Sequence, residues 1–273
     1  MPEDSIISLQ NPRIKNVTRL QQKASLRREQ KLFVIEGRRE VCLALRSGVI
    51  PHEIFICKEK YIPTIDYPID FTIHSKLLTY ISPEVYEKIA YRGNSEGVLM
   101  VAKTYENRLD DIQLSSLPLV LVLESVEKPG NLGAIMRTAD AAAADVVIIC
   151  DPHTDVFNPN VIRSSLGCIF TTPVAVCQTE ELLLWLSQNN LTILLASLQA
   201  QSHYHEADFT IPTALIFGTE SDGLSEIWYK KADNHLKIPM MGQIDSLNVS
   251  ASVAILLYEA QRQRAFKQKS NTR

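Results

Sequence analysis

Short apolar runs alternate with segments of helical spacing over the first hundred residues. The runs that predict strands are Phe33–Ile35, Ile54–Cys57, Phe71–Ile73 and Val98–Val101. Helical spacing predicts helices over Arg38–Arg46 and Pro83–Ala90, and Ser82 supplies an N-cap residue before the proline at the first helical position. We therefore expect a small α/β domain over residues 1–103.

The second part of the chain has longer and more continuous apolar runs. Residues 104–116 are polar without apolar periodicity, which predicts a linker. The strands predicted beyond it are Leu119–Leu123, Val146–Ile149, Ile193–Ala196 and Leu215–Phe217, and the helices are Gly133–Ala144, Glu180–Ser187 and Val249–Arg262. Continuously apolar strands are typical of a parallel sheet covered by helices on both faces. Residues 117–273 are thus predicted to form a parallel α/β domain.

Charge is distributed unevenly, although the 273 residues carry a net charge of only −3. Residues 11–31 contain a single acid, Glu29, and residues 260–273 contain none. The cations of these two segments are Arg13, Lys15, Arg19, Lys23, Arg27, Arg28 and Lys31, then Arg262, Arg264, Lys267, Lys269 and Arg273. Basic ends on an acidic body predict contact with a polyanion. A solvated helix face followed by a frayed tail is the alternative explanation.

The cysteines, the histidines and the lengths of the apolar runs indicate the compartment of the protein and argue against disulfides, a metal site and a membrane span. Five cysteines without a C-x-x-C pair argue against a disulfide framework or a structural zinc site, which favours the cytoplasm. The pair His203-x-His205 lacks the spacing and the acidic third ligand of a zinc site, so we expect no metal. The longest apolar run, Val253–Tyr258, is too short to span a membrane.

The first of three candidate motifs follows the strand that ends at Leu123. Pro129-Gly130-Asn131 predicts a turn, with a helix that begins near Leu132–Gly133. Asn131 and the free amides of the helix N-terminus would then face the strand end, where they favour a phosphate. Arg137 lies one helical turn beyond Gly133. The alternative is a helix-capping turn with a surface arginine.

Two further motifs lie near the ends of later strands, where open α/β sheets bind ligands. In the segment 216–225, Gly218 allows close approach of backbone to a ligand, Gly223 allows a sharp turn and Glu220 supplies a carboxylate. An exposed turn is the alternative. In the segment 238–252, Ser246 and Asn248 offer hydrogen-bonding groups, and Asn248 or Ser250 could cap the following helix. Capping alone would explain one of these polar residues.

These three motifs, in this order, resemble those of the SpoU (TrmH-type) RNA ribose 2′-O-methyltransferases of the SPOUT superfamily. The segments that carry the resemblance are Asn131-Leu-Gly-Ala-Ile-Met-Arg137, Phe217-Gly-Thr-Glu220-Ser-Asp-Gly-Leu and Ile238-Pro-Met with Ser246-Leu-Asn248-Val-Ser250. It spans about residues 117–265 and departs from the family at Ala141–Ala144, where a glycine is common. Residues 30–103 resemble, more weakly, the ribosomal-protein-like substrate-binding domain that often precedes this domain.

The resemblance implies an uncommon fold, a cofactor and a partner. The parallel sheet would end in a C-terminal trefoil knot, against the general rule that chains are not knotted. S-adenosylmethionine would bind at residues from the later strand ends, which are Ala196, Ser197, Leu198, Gly218, Ile238, Met240, Leu247 and Asn248. The active unit would be a homodimer, with the last helix in its interface. No membrane and no metal are expected.

The implied reaction transfers a methyl group to a ribose 2′-hydroxyl of structured RNA. Arg137 would bind an RNA phosphate and stabilise the developing alkoxide, since a guanidinium stays protonated; action of this arginine as the base is the less favoured variant. Asn131 would orient the target nucleotide, and Glu220 would orient Arg137 or Asn131, within the chain or across the dimer. Ser246 and Asn248 would shape the methionine and ribose ends of the site.

Two alternatives from other classes are weighed against the enzyme. A non-catalytic RNA-binding or ribosome-assembly protein could retain the fold, but the intact set of candidate catalytic residues argues against it. A nucleotide-dependent oxidoreductase would need a G-x-G-x-x-G fingerprint, which does not occur in the chain. The basic N-terminal segment favours ribosomal RNA as the substrate, with transfer RNA as the second choice.

Overall fold

The computed structural model describes residues 5–91, 96–219 and 222–266, and the chain divides into two compact units. The first unit comprises Met1–Glu106 and Asp155–Thr171, and the second comprises Asn107–Thr154 and Thr172–Arg273. The segment 155–171 was expected in the domain predicted over 117–273. It belongs instead to the first unit because its aromatic residues pack there, with the rings of Phe33 and Phe157 centred 4.6 Å apart.

The first unit is built on a four-stranded mixed sheet. Its elements are α1 (Pro12–Gln22), α2 (Ala24–Gln30), β1 (Leu32–Glu36), α3 (Arg38–Arg46), β2 (Pro51–Ile56), β3 (Leu78–Tyr80), α4 (Pro83–Ile89), β4 (Val98–Lys103) and α6 (Pro159–Ser164). The strand order is β1-β4-β2-β3, with β4 antiparallel to both neighbours and β3 parallel to β2. Ser82 caps α4 as predicted, because its side chain accepts a hydrogen bond from the Val85 N–H.

The strand predicted over Phe71–Ile73 is wrong. Asp70 Oδ1 accepts hydrogen bonds from the Thr72 N–H at 2.9 Å and the Thr72 hydroxyl at 2.5 Å, so the backbone turns there. Ile73 is 74% exposed and gains no burial that would favour an extended strand. The apolar run therefore lies on a polar turn that local side-chain bonds stabilise.

The basic segment 11–31 forms two amphipathic helices with a buried apolar face. Ile14, Val17 and Leu20 of α1 and Leu26 of α2 lie in the core of the first unit. Arg27 is only 3% exposed, and its Nε donates to Asp155 Oδ2 at 2.7 Å. Its Nη1 also donates to the Leu20 carbonyl at 2.6 Å. One of the predicted RNA-binding cations is therefore a structural residue.

The second unit is built on a seven-stranded, wholly parallel sheet. Its elements are β5 (Leu119–Glu124), α5 (Pro129–Ala141), β6 (Val146–Cys150), β7 (Val174–Cys177), α7 (Thr179–Gln188), β8 (Thr192–Ala196), β9 (Ser202–His203), β10 (Thr213–Phe217), α8 (Glu226–Lys231), β11 (Asn234–Lys237) and α9 (Val249–Gln263). The strand order is β7-β6-β5-β10-β8-β11-β9. The predicted parallel α/β architecture is confirmed.

Two details of the second unit differ from the sequence expectation. Helix α5 begins at Pro129 rather than near Gly133, so Asn131 lies in its first turn. The predicted linker 104–116 contributes to the unit, since Leu109 is buried in its core and the Asn107 carbonyl accepts from the Val176 N–H.

The cysteines are free and buried, and burial raises the pKa of the Cys150 and Cys177 thiols to about 12.

The ion pair between buried Arg27 and partly exposed Asp155 yields the first prediction. Substitution Arg27→Ala removes the bonds of the guanidinium to Asp155 and to the Leu20 carbonyl, so we expect the free energy of unfolding to fall by about 1–3 kcal/mol. Urea titration followed by circular dichroism measures the loss. The matched control is Arg28→Ala, which removes an exposed neighbouring cation and should change stability by less than about 0.5 kcal/mol. Equal losses in the two variants would contradict the structural role of Arg27.

Candidate active site

The carboxyl ends of β10, β8 and β11 open into one cavity of about 650 Å³ in the second unit. Its size lies within the range of small-molecule binding sites. All eight residues predicted to bind a cofactor line this cavity, namely Ala196, Ser197, Leu198, Gly218, Ile238, Met240, Leu247 and Asn248. Ser246, predicted to be catalytic, also lines it. The structure thus brings together residues that are up to fifty positions apart in sequence.

Further lining residues come from the second and third motifs, namely Phe217, Thr219, Asp222, Gly223, Leu224, Val249 and Ser252. Gln199, Tyr229 and Leu236 also line the cavity, lie outside the three motifs and had no predicted role. The hydroxyls of Tyr229 and Ser197 lie 3.5 Å apart, and the Tyr229 ring meets His235 edge-on. Tyr229 lies on α8, whose six residues are too few for a periodic signal, so no sequence pattern indicated it.

Gly218 lies where the chain folds back on itself. A Cβ atom at this position would be 2.0 Å from the Gly223 carbonyl oxygen and 2.6 Å from the Leu224 nitrogen. The Thr219 N–H donates to the same carbonyl at 3.0 Å, and Gly223 has φ of +71°. We name residues 218–219 and 222–225 the Gly218 loop. The close approach at Gly218 is therefore to the protein's own backbone, so a larger side chain here would displace the Gly223 carbonyl.

Asn131 and Asn248, from the first and third motifs, meet at the edge of this cavity. Asn248 Nδ2 donates to Asn131 Oδ1 at 3.3 Å. Asn248 also caps α9, since its Oδ1 accepts from the Ser250 N–H at 2.9 Å and the Ser250 hydroxyl at 2.5 Å. The Ser246 hydroxyl donates to Asp245 at 3.2 Å. Helix capping therefore accounts for Asn248 and Ser250, and the contact to Asn131 is a second role of Asn248.

A smaller cavity of about 80 Å³ lies beside the first and shares Gly218, Thr219 and Val249 with it. Its other lining residues are Leu123, Glu124, Val126, Glu127, Lys128 and Asn131. Glu124 is the last residue of β5 and is 7% exposed. Its carboxylate accepts hydrogen bonds from Ser225, at 2.8 Å from the N–H and 2.5 Å from the hydroxyl. The sequence analysis did not single out this buried acid.

The roles predicted for Arg137 and Glu220 remain predictions. Arg137 lies exposed on α5, whereas Gly133, one turn earlier, is buried. Within residues 5–91, 96–219 and 222–266, Arg137 forms no hydrogen bond or ion pair. Glu220 lies outside the described residues, so its predicted contact with Arg137 or Asn131 stays a prediction.

Two arginines of the basic C-terminal segment form hydrogen bonds within the second unit. Arg264 donates to the carbonyls of Phe209, Leu117 and Ile211 at 2.8–2.9 Å, and burial lowers its pKa. Arg262 forms two 2.8 Å bonds to Glu259, which lower the pKa of that carboxyl. Arg264 is thus bound to backbone carbonyls of the unit, whereas Arg262 pairs with Glu259 and stays exposed. Lys267, Lys269 and Arg273 lie outside the described residues.

The structure adds an acidic neighbour to the pair His203-x-His205. Potential ligand atoms of His203, His205 and Glu206 lie within 4.8 Å of one another. Glu206 is already used to cap a short 3-10 turn, because its Oε2 accepts from the His203 N–H at 2.7 Å. The cluster is therefore accounted for by local capping. Of the helices in the described ranges, none has the length and apolarity to cross a membrane.

The Gly218 loop yields the second prediction. Substitution Gly218→Ala forces a methyl group against the Gly223 carbonyl, so the loop must shift, and we expect a loss of about 1–3 kcal/mol in unfolding free energy. Urea titration measures it. The control is Gly242→Ala, because a Cβ atom there would meet nothing within 4 Å. A Gly218→Ala variant as stable as the Gly242→Ala control would contradict the steric account.

Known proteins share both the family motifs and the fold. Residues 118–258 match the SpoU rRNA Methylase family, and residues 11–100 match an MRM3-like substrate binding domain. The 23S rRNA (guanosine(2553)-2′-O)-methyltransferase RlmP of Bacillus subtilis is 31% identical, covering 93% of this chain and 97% of that protein. A crystal structure of an RNA 2′-O ribose methyltransferase is 37% identical, covers 96% and 99% of the two chains and has a TM-score of 0.82. The AdoMet-bound rRNA methyltransferase of Sinorhizobium meliloti is 29% identical, covers 94% and 97% and has a TM-score of 0.84. As its three motifs predicted, the chain belongs to the SpoU rRNA methylase family.

Proposed function

We propose that this chain transfers a methyl group from S-adenosylmethionine to a ribose 2′-hydroxyl of ribosomal RNA. The observation that carries the proposal is the meeting of three sequence motifs at two adjoining cavities, with the Asn131–Asn248 hydrogen bond joining the first motif to the third. Membership of the SpoU family gives the reaction class. Relatives named as 23S rRNA 2′-O-methyltransferases favour ribosomal RNA over transfer RNA as the substrate.

The large cavity fits S-adenosylmethionine in size and in lining. Its apolar wall contains Ile238, Met240 and Leu247, which suit an adenine ring. Polar atoms come from Ser197, Ser246 and the backbone at Gly218. When bound, this cofactor supplies a methyl group activated by a positively charged sulfur. The chain's residues then need to position the ribose and manage the proton of its hydroxyl.

Arg137 and Asn131 are the residues we assign to the RNA side of the site. Asn131 is fixed by Asn248, so its side chain is oriented before RNA arrives. Arg137 carries a guanidinium on the exposed face of the same helix, α5, where RNA can reach it. We assign to it the binding of a phosphate and the stabilisation of negative charge developing on the 2′-oxygen. Glu220 keeps its predicted role of orienting one of these two residues.

Three further expectations belong to the same proposal. The chain after β10 would form the trefoil knot; strand β11 pairs with β8 rather than β10, and α9 returns to pack on α5, as such a path requires. The active unit would be a homodimer with α9 in its interface. Residues 1–103 would form the ribosomal-protein-like substrate-binding domain. We expect a cytoplasmic location, where ribosomal RNA and free thiols coexist.

The third prediction separates an enzyme from a binding protein at Arg137. Loss of one preorganised donor costs about 10²–10³-fold in turnover, so Arg137→Ala should slow methyl transfer by that factor. Arg137→Lys should recover little, because lysine lacks the planar fork. Affinity for S-adenosylmethionine should stay unchanged, because Arg137 does not line the large cavity. Single-turnover transfer of labelled methyl groups to ribosomal and transfer RNA measures the rates, and calorimetry measures cofactor affinity.

Two results would contradict this assignment in different ways. Equal rates for the wild type and Arg137→Ala would remove the assigned role of Arg137 but leave the reaction intact. A wild-type protein that binds RNA and cofactor but methylates no native RNA would instead favour the non-catalytic RNA-binding protein.

The fourth prediction concerns the exposed cations of α1 and α2. Arg13 pairs with Glu53 and Arg27 with Asp155, so the phosphate-binding set reduces to Lys15, Arg19, Lys23, Arg28 and Lys31. Removing one cation that binds a phosphate should flatten the slope of log affinity against log salt by about 0.7–0.9, because fewer counterions are released. Filter binding with Lys15→Gln and Arg19→Gln measures the slope, with Arg46→Gln on α3 as the control. A slope unchanged in both variants would mean that this face is only solvated.

A further inference from the structure

We propose that Glu124 is a positioning residue for cofactor binding, and that it acts by fixing the far end of the Gly218 loop. This inference rests on the proposed function, because it assumes that the large cavity binds S-adenosylmethionine. Glu124 does not line the large cavity, whereas Gly218, Thr219 and Leu224 do. The loop connects Glu124 to the large cavity, because Glu124 bonds Ser225 at the far end of the loop.

Glu124 holds an unusual position for a carboxylate. It ends the central strand β5, whose residues are all buried, and it is itself 7% exposed. A buried carboxylate is costly unless hydrogen bonds satisfy it. Both of its oxygens accept from one residue, Ser225, which directly precedes α8. The geometry ties a strand end to a residue 101 positions later in the chain.

The Gly218 loop needs such an attachment. Its near end continues from β10, which pairs with β5 through Phe217 and Leu123. Its shape is set locally, because the Thr219 N–H donates to the Gly223 carbonyl and the Asp222 N–H donates to the Thr219 hydroxyl at 3.0 Å. These bonds lie within the loop and do not attach it to the sheet.

Among the residues that the structure describes, Leu224 and Ser225 attach the far end of the loop to the rest of the unit. The Leu224 side chain is buried in the apolar core, which is a non-directional contact. The two hydrogen bonds from Ser225 to Glu124 are directional and charge-assisted, so they fix the orientation of the backbone that follows Gly223. Because the Gly223 carbonyl is packed against Gly218, a shift at Ser225 is transmitted to the cavity wall.

The experiment compares three variants at this contact with a matched control. Glu124→Ala removes both acceptors. Glu124→Gln can retain both bonds, because its carbonyl accepts from the Ser225 N–H while its amide donates to the Ser225 hydroxyl. Ser225→Ala removes one bond. The control Asp145→Ala also deletes a buried carboxylate that accepts two backbone N–H bonds, from Leu119 and Ser115, at the opposite end of β5.

Calorimetry of S-adenosylmethionine binding and steady-state methyl transfer supply the readouts. We expect Glu124→Ala to weaken cofactor affinity about tenfold or more and to raise KM for the cofactor more than it lowers kcat. Ser225→Ala should give a smaller effect in the same direction, and Glu124→Gln should stay within about threefold of the wild type. Asp145→Ala should lose stability but retain cofactor affinity. If Glu124→Ala does not fold, Ser225→Ala and Glu124→Gln still decide the question.

Several outcomes would overturn the inference. Unchanged cofactor affinity in Glu124→Ala or in Ser225→Ala would do so, as would an equal loss of affinity in Asp145→Ala, which would indicate a general loss of stability. A Glu124→Gln variant with normal affinity but a large loss of kcat would assign Glu124 to the chemistry instead. A wild-type chain that binds no S-adenosylmethionine would overturn the proposed function together with this inference.

Discussion

The parallel pairing of β5 with β10 is the constraint on which the candidate site depends. The strands are in register from Leu119 with Thr213 to Leu123 with Phe217, and every residue of both is buried. Because parallel strands end at the same edge of a sheet, the next residue of each chain segment emerges at one place. Glu124 and Gly218 are those residues; Gly218 lines both cavities and Glu124 lines the smaller one.

This arrangement explains why the chain's own contribution to catalysis is one of position. Glycine at 218 permits a backbone approach that any Cβ atom would prevent, and Asn248 holds Asn131 while it caps α9. Neither Gly218 nor Asn248 donates or accepts a proton in the reaction as proposed. In the proposed reaction the activated methyl group comes with the cofactor, so rate enhancement would depend on the placement of the ribose and on the charge that we assign to Arg137.

The sequence predicted well those features that depend on local apolar patterning. Strands such as Leu119–Glu124 and helices such as Arg38–Arg46 follow from continuous or periodic apolar residues. It failed where tertiary contacts decide: β11, with the residues Asn-His-Leu-Lys, forms only because it pairs with β8. Phe71–Ile73 looked like a strand, but a side-chain turn at Asp70 prevents one.

The site was partly predictable for a related reason. The family resemblance implied eight residues that line the large cavity, but single-residue roles depend on neighbours distant in sequence. Gly218 was expected to make room for a ligand, whereas it also makes room for the Gly223 carbonyl. Arg27 and Arg264 were counted among the RNA-binding cations. Arg27 is instead buried and bonded to Asp155 and the Leu20 carbonyl, and Arg264 donates to the Leu117 carbonyl. Glu124 gave no signal, because a strand's last residue is often polar.

The central claim is that this chain methylates a ribose of ribosomal RNA, and mapping of 2′-O-methyl groups in cells tests it most directly. Ribosomal and transfer RNA would be compared between the parent strain, a deletion strain, and deletion strains that express the wild type or the Arg137→Ala variant. The account predicts that a ribose methylation of ribosomal RNA disappears on deletion and returns with the wild type but not with the variant. An unchanged ribosomal methylation map in the deletion strain would contradict it.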